Sequence, residues 1–445
     1  MLATVSRWHR RLSLLAGVAL LLWASSGLLH PLMSWTNPRA AAFAPPVGEP
    51  LELPAQAPSA LLEAEPAGIV RLLSQGGQSL WQLASADRQR LRYVNAATGV
   101  PVPEADRVRA VQLARHYTGL QSAALSEVRH VTQYDREYPA VNRLLPVWRV
   151  EFADERGLTA YVHTGEDRLA SLTDRRKRVL LTLFQTVHTL DFLDGIEGLR
   201  LGLVLAAVGS VLAMAMLGLA MLLGRRGRPG APAMRRRHRL LAWLAWVPVL
   251  MFSASGLFHL LRLSPLLQQA PPPVHASVQG AVAWPAELQG ARALTLLPLG
   301  GREGEGGAVW RARYGPQSLA LYDARSGERL AGGEAGLAQR LAGSTTSAGA
   351  TRQAGFSPEY GFANKRLPVW RVEQPDGLAF VDTAFGLVAA RVGSLDVAEQ
   401  WSFSTLHKWQ LLDFLGKAWR DAVLSAGAVL GMLAALFGLA LRRRR

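Results

Sequence analysis

Four long apolar stretches divide the chain, and each is long enough to form a membrane-spanning helix. They cover residues 11–33, 201–223, 240–262 and 421–441. Crossing ~30 Å of hydrocarbon takes about 20 mostly apolar residues at ~1.5 Å per residue. None of the four stretches contains Asp, Glu, Lys or Arg once its ends are trimmed. The pattern therefore predicts an α-helical membrane protein with four transmembrane helices.

Arginines flank these stretches in a way that predicts their orientation. Arg7, Arg10 and Arg11 precede the first stretch, an arginine-rich loop joins the second to the third, and Arg442–Arg445 follow the fourth. Because cytoplasmic loops are enriched in Lys and Arg, all three regions and both termini are predicted to be cytoplasmic. The two long connecting segments then lie on the opposite face, which is the periplasm if the membrane is a bacterial inner membrane. Topology thus explains the net charge of +16, which does not indicate nucleic-acid binding.

A cleaved signal peptide is the alternative interpretation of the first stretch, because its start is basic and Ala40, Ala41 and Ala42 resemble a cleavage site. Its apolar region exceeds the about 7 to 15 residues of signal peptides, and the third stretch, which is internal, repeats its pattern.

The predicted segments are a first transmembrane helix (1–33), a periplasmic domain (34–177), an interfacial helix with the second transmembrane helix (178–224), a basic loop (225–239), a third transmembrane helix (240–262), a second periplasmic domain (263–398), and an interfacial helix with the fourth transmembrane helix and a basic tail (399–445).

Both connecting segments alternate apolar and polar residues over short stretches, which is typical of strands. In the first segment, residues 79–83 and 91–94 are predicted strands and Val108–Tyr117 is a predicted amphipathic helix. A hairpin is predicted where Trp148–Phe152 precedes an acidic, glycine-containing turn and a second apolar run, and residues 369–381 repeat this pattern. Each segment is therefore predicted to be a small α+β domain.

The two halves of the chain resemble each other along most of their length. The hexapeptide Leu-Pro-Val-Trp-Arg-Val occurs at 145–150 and again at 367–372, and six identities in a row are rarely due to chance. Trp81 and Trp310 are matched upstream of it. Because both halves enter and leave the membrane on the same sides, we interpret them as two parallel repeats.

Six of the ten histidines form three pairs at equivalent positions near the ends of the spans. The pairs are His9 with His238, His30 with His259, and His188 with His407. Ionisable residues inside membranes are costly and tend to be functional, so the three pairs are candidate ligands. The remaining histidines have no matched partner and are predicted to be solvated surface residues: His116, His130, His163 and His275.

These motifs resemble those of the PepSY-associated transmembrane proteins. The resemblance rests on a His-Arg-x-Leu start to a span, a Ser-Gly pair near its outer end, the Leu-Pro-Val-Trp-Arg-Val strand with its hairpin, and a Thr-x-His segment before the next span. It covers nearly the whole chain. It implies two PepSY-like periplasmic domains and, for some members of that family, b-type haem held between the spans and electron transfer to ferric siderophores outside.

Haem is the cofactor that best fits the histidine pairs. The chain has no cysteine, which excludes iron–sulfur clusters ligated by Cys and covalent c-type haem. Neutral imidazole is a good axial ligand of haem iron, and the neighbours of the paired histidines are mostly Leu, Trp, Phe and Gly rather than additional metal ligands. Two bis-His haem b groups are the expected complement.

Depth in the membrane separates the candidate ligands into two sites. His9 and His30 are 21 residues apart, or ~31 Å along a helix, so they cannot bind the same iron. We expect a cytoplasmic-side haem held by His9 and His238. The outer haem would be held by ligands from His188, His407, His30 and His259, with His188 and His407 on short interfacial helices over 179–192 and 401–414. Two symmetry-related outer haems are the alternative.

The leading functional hypothesis is an inner-membrane haem protein that moves electrons outward and reduces ferric chelates such as siderophores. Electrons would come from a quinol or a separate reductase, because no dinucleotide fingerprint or P-loop occurs in the sequence. A second hypothesis is a non-catalytic PepSY membrane protein that binds or regulates a periplasmic partner such as a peptidase. A third is a protein that binds or transports metal ions.

Overall fold

The computed structural model describes residues 2–48, 50–224, 230–263, 276–285, 287–300, 307–315, 318–344 and 349–443. The chain divides into two compact units. The membrane unit comprises Met1–Asn37, Arg176–Pro271 and Leu395–Arg445, and the sheet unit comprises Pro38–Arg175 and Pro272–Ser394.

The helices and strands alternate between the two units along the chain. The helices are α1 (Leu2–Gly27), α2 (Leu29–Thr36), α3 (Ser59–Ala64), α4 (Ala105–Thr118), α5 (Arg175–Phe184), α6 (Glu197–Gly224), α7 (Ala233–Leu263), α8 (Gly333–Ala342), α9 (Ser394–Ser402) and α10 (Lys417–Arg443). The strands are β1 (Ile69–Gln75), β2 (Gln78–Ala84), β3 (Leu91–Asn95), β4 (Leu125–Val131), β5 (Val147–Phe152), β6 (Thr159–His163), β7 (Arg168–Thr173), β8 (Ala293–Pro298), β9 (Ala308–Arg313), β10 (Leu319–Asp323), β11 (Ala350–Gln353), β12 (Val369–Gln374), β13 (Gly377–Asp382) and β14 (Leu387–Gly393).

Four helical segments of the described chain are long and apolar enough to cross a membrane, which confirms the predicted number of spans. They are Leu2–Thr36, Glu197–Gly224, Ala233–Arg262 and Lys417–Arg442. The first segment is interrupted between α1 and α2. Pro31 explains the break, because proline has no N–H to donate to the carbonyl of Gly27, four residues earlier, and its ring crowds that carbonyl.

The four long helices form a ring in which each one packs against two neighbours. The order around the ring is α1, α6, α7, α10, and α10 closes it against α1. Small residues allow the close approaches: a Cβ at Gly17 would lie 3.1 Å from Leu439, and one at Gly431 would lie 3.1 Å from Val249. Close packing of this kind stabilises helices in lipid, where there is no hydrophobic driving force between them.

The segments before α6 and α10 are not the continuous interfacial helices predicted at 179–192 and 401–414. Instead, α5 and α9 each run into one turn of π-helix, at Gln185–Thr189 and Phe403–His407, followed by a short 3-10 helix. The backbone turns left-handed at Leu190 (φ 53°) and Trp409 (φ 52°), which ends each helix. Positive φ is uncommon for such residues and is tolerated where surrounding structure holds it.

One six-stranded antiparallel sheet joins the two connecting segments of the sheet unit. Its order is β10-β9-β8-β1-β2-β3, so β1 of the first segment pairs with β8 of the second. Arg71 pairs with Thr295 at the middle of this contact. The sequence patterns predicted separate domains and gave no sign of this pairing, because the partner strands lie more than two hundred residues apart.

Each connecting segment also forms a four-stranded antiparallel sheet of its own, as expected for small α+β folds. The orders are β4-β5-β6-β7 and β11-β12-β13-β14, with α4 packed on the first and α8 on the second. The predicted hairpins fall within these sheets, whereas the predicted strands at 79–83 and 91–94 belong to the six-stranded sheet. Val150 and Val372 from the repeated hexapeptide are fully buried. Alternation along these strands therefore marked the core correctly.

Buried ion pairs connect the two segments within the sheet unit. The Arg168 guanidinium donates to Asp382 at 2.7 Å, and Arg366 donates to Glu166 at 2.6 Å. The charges of Arg366, His163 and Arg168 lower the pKa of Glu166 despite its burial, so this carboxylate remains ionised. Removing one partner of a buried pair leaves an uncompensated charge, so these contacts fix how the two segments pack.

Candidate functional site

His9 and His238 line one cavity inside the ring of four helices. The cavity has a volume of about 120 Å³ and is lined almost wholly by apolar and small residues from α1, α6, α7 and α10. Both histidines adjoin the arginine-rich ends of their helices. This volume is below the roughly 300–1,000 Å³ of typical pockets for organic ligands, so a ligand of that size would require the lining side chains to move apart. We call this cavity the inner site.

Hydrogen bonding determines which nitrogen of His238 is available. Its Nδ1 lies 3.0 Å from the carbonyl oxygen of Ala434. A carbonyl only accepts, so Nδ1 carries the proton and Nε2 keeps its lone pair. Nδ1 of His9 is buried and has no hydrogen-bond partner among the described residues. A buried ring nitrogen without a partner is uncommon in proteins, which marks His9 as a candidate for a ligand contact.

Two glycines make room for these imidazole rings. A Cβ at Gly438 would lie 3.1 Å from Cε1 of His238, and one at Gly218 would lie 3.8 Å from Cε1 of His9. The first distance is tighter than ordinary van der Waals contact, so any larger residue at 438 would displace the ring. The inner site is therefore built by packing, with each histidine placed against a glycine of a neighbouring helix.

His188 and His407 occupy the two π-turns and are held by serines of the spans. Nδ1 of His188 lies 3.0 Å from Oγ of Ser26, and Nδ1 of His407 lies 3.1 Å from Oγ of Ser255. Each serine hydroxyl also lies 2.8 or 2.6 Å from the carbonyl four residues earlier and donates its single hydrogen there. Its oxygen must then accept from the imidazole N–H, which leaves Nε2 of both histidines with a free lone pair.

Burial keeps these two imidazoles neutral at neutral pH. It lowers the pKa of His188 to about 4 and that of His407 to about 3. The second cause is electrostatic repulsion. A positive charge on His30 would lower the pKa of His188, and a positive charge on His188 would lower the pKa of His407. This second effect places His188 and His407 within electrostatic range of each other. We call the region around them the outer site.

Aromatic rings contact the histidines of the outer site. Phe184 stacks on His188 with ring centroids 4.5 Å apart, and Phe403 stacks on His407 at 4.6 Å. Phe403 also stacks on His259 at 4.2 Å. These rings limit rotation of the imidazoles and exclude water from them.

His30 and His259 have different surroundings although the sequence pairs them. Nδ1 of His259 is hydrogen-bonded to the Glu399 carboxylate. His30 is exposed, and the residue that corresponds to Glu399 in the first half is Leu180. A carboxylate bonded to Nδ1 orients an imidazole and raises its basicity, so only His259 has this support.

The described residues contain no group of three or more His, Cys, Asp or Glu side chains that could hold a metal ion. The candidate ligands instead come together as pairs, His9 with His238 and His188 with His407. Paired imidazoles in apolar surroundings suit an iron whose remaining ligands come from a macrocycle. The residues present therefore fit haem better than a bare metal ion.

The four unmatched histidines do not all lie on the surface as predicted. His130 is exposed and His116 is half-buried, with Nε2 bonded to the carbonyl of Ala44. The prediction was wrong for His163, which is buried at the end of β6 and accepts a hydrogen bond at Nδ1 from the N–H of Glu166. It lies in a central strand, where both faces are covered. His275 lies outside the described residues.

Several residues of the two sites were not assigned a role from the sequence. Ser26 and Ser255 were visible as part of the repeated Ser-Gly pairs, but their role requires knowing that the π-turn approaches them. Phe184 and Phe403 also carry a signal, since each lies four residues before the histidine it contacts. Glu399 has no such signal.

Comparison of the chain with protein-family models, with curated proteins and with solved structures gave no match. The functional argument therefore rests on the geometry of the inner and outer sites.

Proposed function

We propose that the protein is a membrane haem protein that transfers electrons across the membrane to ferric chelates. His9 and His238 would hold one haem b at the inner site, and His188 and His407 would hold a second at the outer site. The observation that supports this most directly is the orientation of the imidazoles. His238, His188 and His407 each use Nδ1–H in a hydrogen bond and keep the Nε2 lone pair for a ligand.

The protein side chains would bind, orient and shield the cofactor. Bound haem supplies a one-electron Fe³⁺/Fe²⁺ couple. Ser26, Ser255 and the Ala434 carbonyl would fix the ring orientation and the tautomer of the ligands, as outer partners of metal-binding histidines do. The apolar lining of the inner site excludes water. His9 lies at the inner site, and His30, 21 residues later in the same span, lies within electrostatic range of His188 at the outer site. The two sites would therefore lie near opposite faces of the bilayer, ~30 Å apart.

We also propose that the chain is a duplication of one unit. Arg71 and Thr295 pair at the middle of the β1–β8 contact, and β2-β3 and β9-β10 extend from it in opposite directions. Val70 pairs with Leu296 and Leu72 with Leu294, an arrangement that a two-fold axis through the central pair would produce. The two PepSY-like domains would then share one sheet across this axis.

The proposed location is a bacterial inner membrane with both termini in the cytoplasm and the sheet unit in the periplasm. The arginines beside the inner site support this orientation through the positive-inside rule. The substrate would be a ferric siderophore or a similar chelate in the periplasm. The electron donor would be a quinol in the membrane or a separate reductase.

The test is the absorbance spectrum of the full-length protein, purified in detergent after haem-replete expression. We expect a Soret band, a reduced-minus-oxidised spectrum typical of bis-His haem b, and reoxidation of the reduced protein by a ferric chelate under anaerobic conditions. Absence of a Soret band would contradict the haem proposal. A haem that is reduced normally but is not reoxidised by ferric chelates would contradict the substrate proposal.

A second function is favoured by one surface of the sheet unit. Val141 and Phe362 are 64% and 68% exposed, and they lie on two short 3-10 turns that contact each other. Exposed apolar residues of this kind are typical of protein-binding surfaces. Two results together would support a non-catalytic binding role instead: the purified protein contains no haem, and Phe362→Ser abolishes binding of a partner.

A further inference from the structure

Lys408 follows His407 directly, at the end of the second π-turn. Its ammonium lies 4.9 Å from the centroid of the Phe403 ring, and among the described residues no carboxylate forms an ion pair with it. Lys408 is exposed. The ammonium thus lies over an aromatic ring at the outer site, and among the described residues its N–H groups donate to no protein acceptor.

The neighbouring cations at this end of the membrane unit are already compensated. Lys417 donates to Asp421 at 2.9 Å and to Oγ of Ser34. Arg420 donates to Asp413 at 2.5 Å and to Asp421 at 3.0 Å. These two cations therefore face two carboxylates, whereas the carboxylate within electrostatic range of Lys408, that of Glu399, is hydrogen-bonded to His259. His30 is within electrostatic range of Lys408, Lys417, Arg420 and Asp421.

The first half of the chain does not repeat this feature. His188 and His407 differ by 219 positions, and the same offset relates Lys408 to Thr189 and Lys417 to Gly198. The hydroxyl of Thr189 donates to the carbonyl of Gln185 at 2.9 Å, so the π-turn forms without a lysine. The positive-inside rule does not explain Lys408 either, because it lies at the end of the spans opposite to the arginines.

We propose that Lys408 is the centre of a carboxylate-binding site beside His30 and His407, with Lys417 and Arg420 at its edge. A carboxylate would form a charge-assisted hydrogen bond with the unpaired ammonium. Two sources present this chemistry at the outer site: the carboxylates of a bound haem and those of an incoming ferric chelate. The inference rests on the proposed function, because it names what the outer site binds.

The experiment compares Lys408→Gln and Lys408→Arg with the wild-type protein in detergent. Lys365→Gln is the matched control, since Lys365 also lies over an aromatic ring, 4.4 Å from the Phe362 centroid, but in the sheet unit. Three quantities are measured: the haem content with the outer midpoint potential, the calorimetric affinity for anionic ferric-EDTA, and the affinity for a neutral ferric trihydroxamate. The affinity measurements do not require haem.

If the carboxylate belongs to the chelate, Lys408→Gln weakens ferric-EDTA binding about fivefold at low salt, as expected for one partly exposed charge. Binding of the neutral chelate and the haem content then stay unchanged. If the carboxylate belongs to haem, Lys408→Gln lowers outer haem content or shifts its potential, and chelate binding is unaffected. Lys408→Arg should preserve the wild-type values in either case.

The proposal is overturned if Lys408→Gln and Lys365→Gln both match the wild type in haem content, potential and ferric-EDTA affinity. Failure of the proposed function has a different signature, because the wild-type protein would then lack a Soret band. A wild-type protein without haem that binds ferric-EDTA through Lys408 would support the carboxylate site and exclude the haem assignment.

Discussion

The inner and outer sites both present paired histidines, but they are constructed differently. At the inner site, His9 and His238 lie within long regular helices and are positioned by packing against glycines in an apolar cavity. At the outer site, His188 and His407 lie in π-turns and are positioned by serine hydroxyls and phenylalanine rings. The inner site therefore depends on shape and on one hydrogen bond, from His238 to the Ala434 carbonyl, whereas both histidines of the outer site are bonded to serine side chains.

The electrostatic surroundings of the two sites differ as well. Apart from the two histidines, the residues lining the inner cavity carry no ionisable side chain. The outer site has Glu399 bonded to His259, and Lys408 beside His407. A cavity lined by uncharged side chains binds a polar substrate poorly, whereas a site with an exposed cation can bind one. In the proposed function, the inner site would therefore store or transfer electrons, and the outer site would exchange electrons with external molecules.

Removal of one ligand from the inner site should separate the two sites most clearly. We expect His238→Ala to remove one spectral component and lower the haem content by roughly half, because an axial ligand is lost. The outer component should remain. Haem content and the low-temperature reduced spectrum measure this, with His130→Ala as a control that changes an exposed histidine. Equal loss of both components would contradict independent sites.

The equivalent change at the outer site also tests which histidines are ligands. His407→Ala should remove the outer component, again roughly half of the haem, while the inner component stays. His259→Ala should retain most of the haem, since His259 supports Phe403 rather than an iron in this assignment. Loss of haem in His259→Ala comparable to that in His407→Ala would favour two outer haems.

Packing at the inner site can be tested with a pair of glycines. Gly438→Ala places a methyl group 3.1 Å from the His238 ring, so the ring must move, at a typical cost of about 1–3 kcal/mol. Gly218→Ala places it 3.8 Å from the His9 ring, which is ordinary contact. We expect partial loss of the inner haem in the first variant and little loss in the second, measured by haem content. Similar occupancy in both variants would show that the glycines do not position the rings.

The smallest expected effect concerns the hydrogen bonds of the outer site. Ser26→Ala leaves Nδ1–H of His188 without its acceptor and makes the imidazole a weaker donor to iron. The outer midpoint potential should rise by up to about 40 mV, which corresponds to ~1 kcal/mol for one electron, without loss of haem. Redox titration measures this, and Ser25→Ala is the control, because the Ser25 hydroxyl bonds the Leu22 carbonyl of its own helix. No difference between the variants would exclude a ligand role for His188.

The spans and the histidine pairs could be predicted because they depend on local sequence. Apolar length predicts a membrane helix almost independently of its neighbours, and all four spans were found this way. The constant spacing of His9 and His30, repeated at His238 and His259, required only comparison of the two halves. Burial of His163 was missed because it depends on the strands on either side of β6.

The sequence by itself determined that the chain has four helices long and apolar enough to cross a membrane, small α+β folds between them, and histidines at matched positions near the ends of these helices. Only the tertiary structure showed that β1 and β8 join the two segments in one sheet, that the outer histidines lie in π-turns, and that Ser26, Ser255 and Glu399 bond to their partners. The physical reason is range. Hydrophobic burial in lipid follows from the composition of one stretch, whereas a hydrogen bond between side chains 140 to 162 residues apart exists only after the helices have packed.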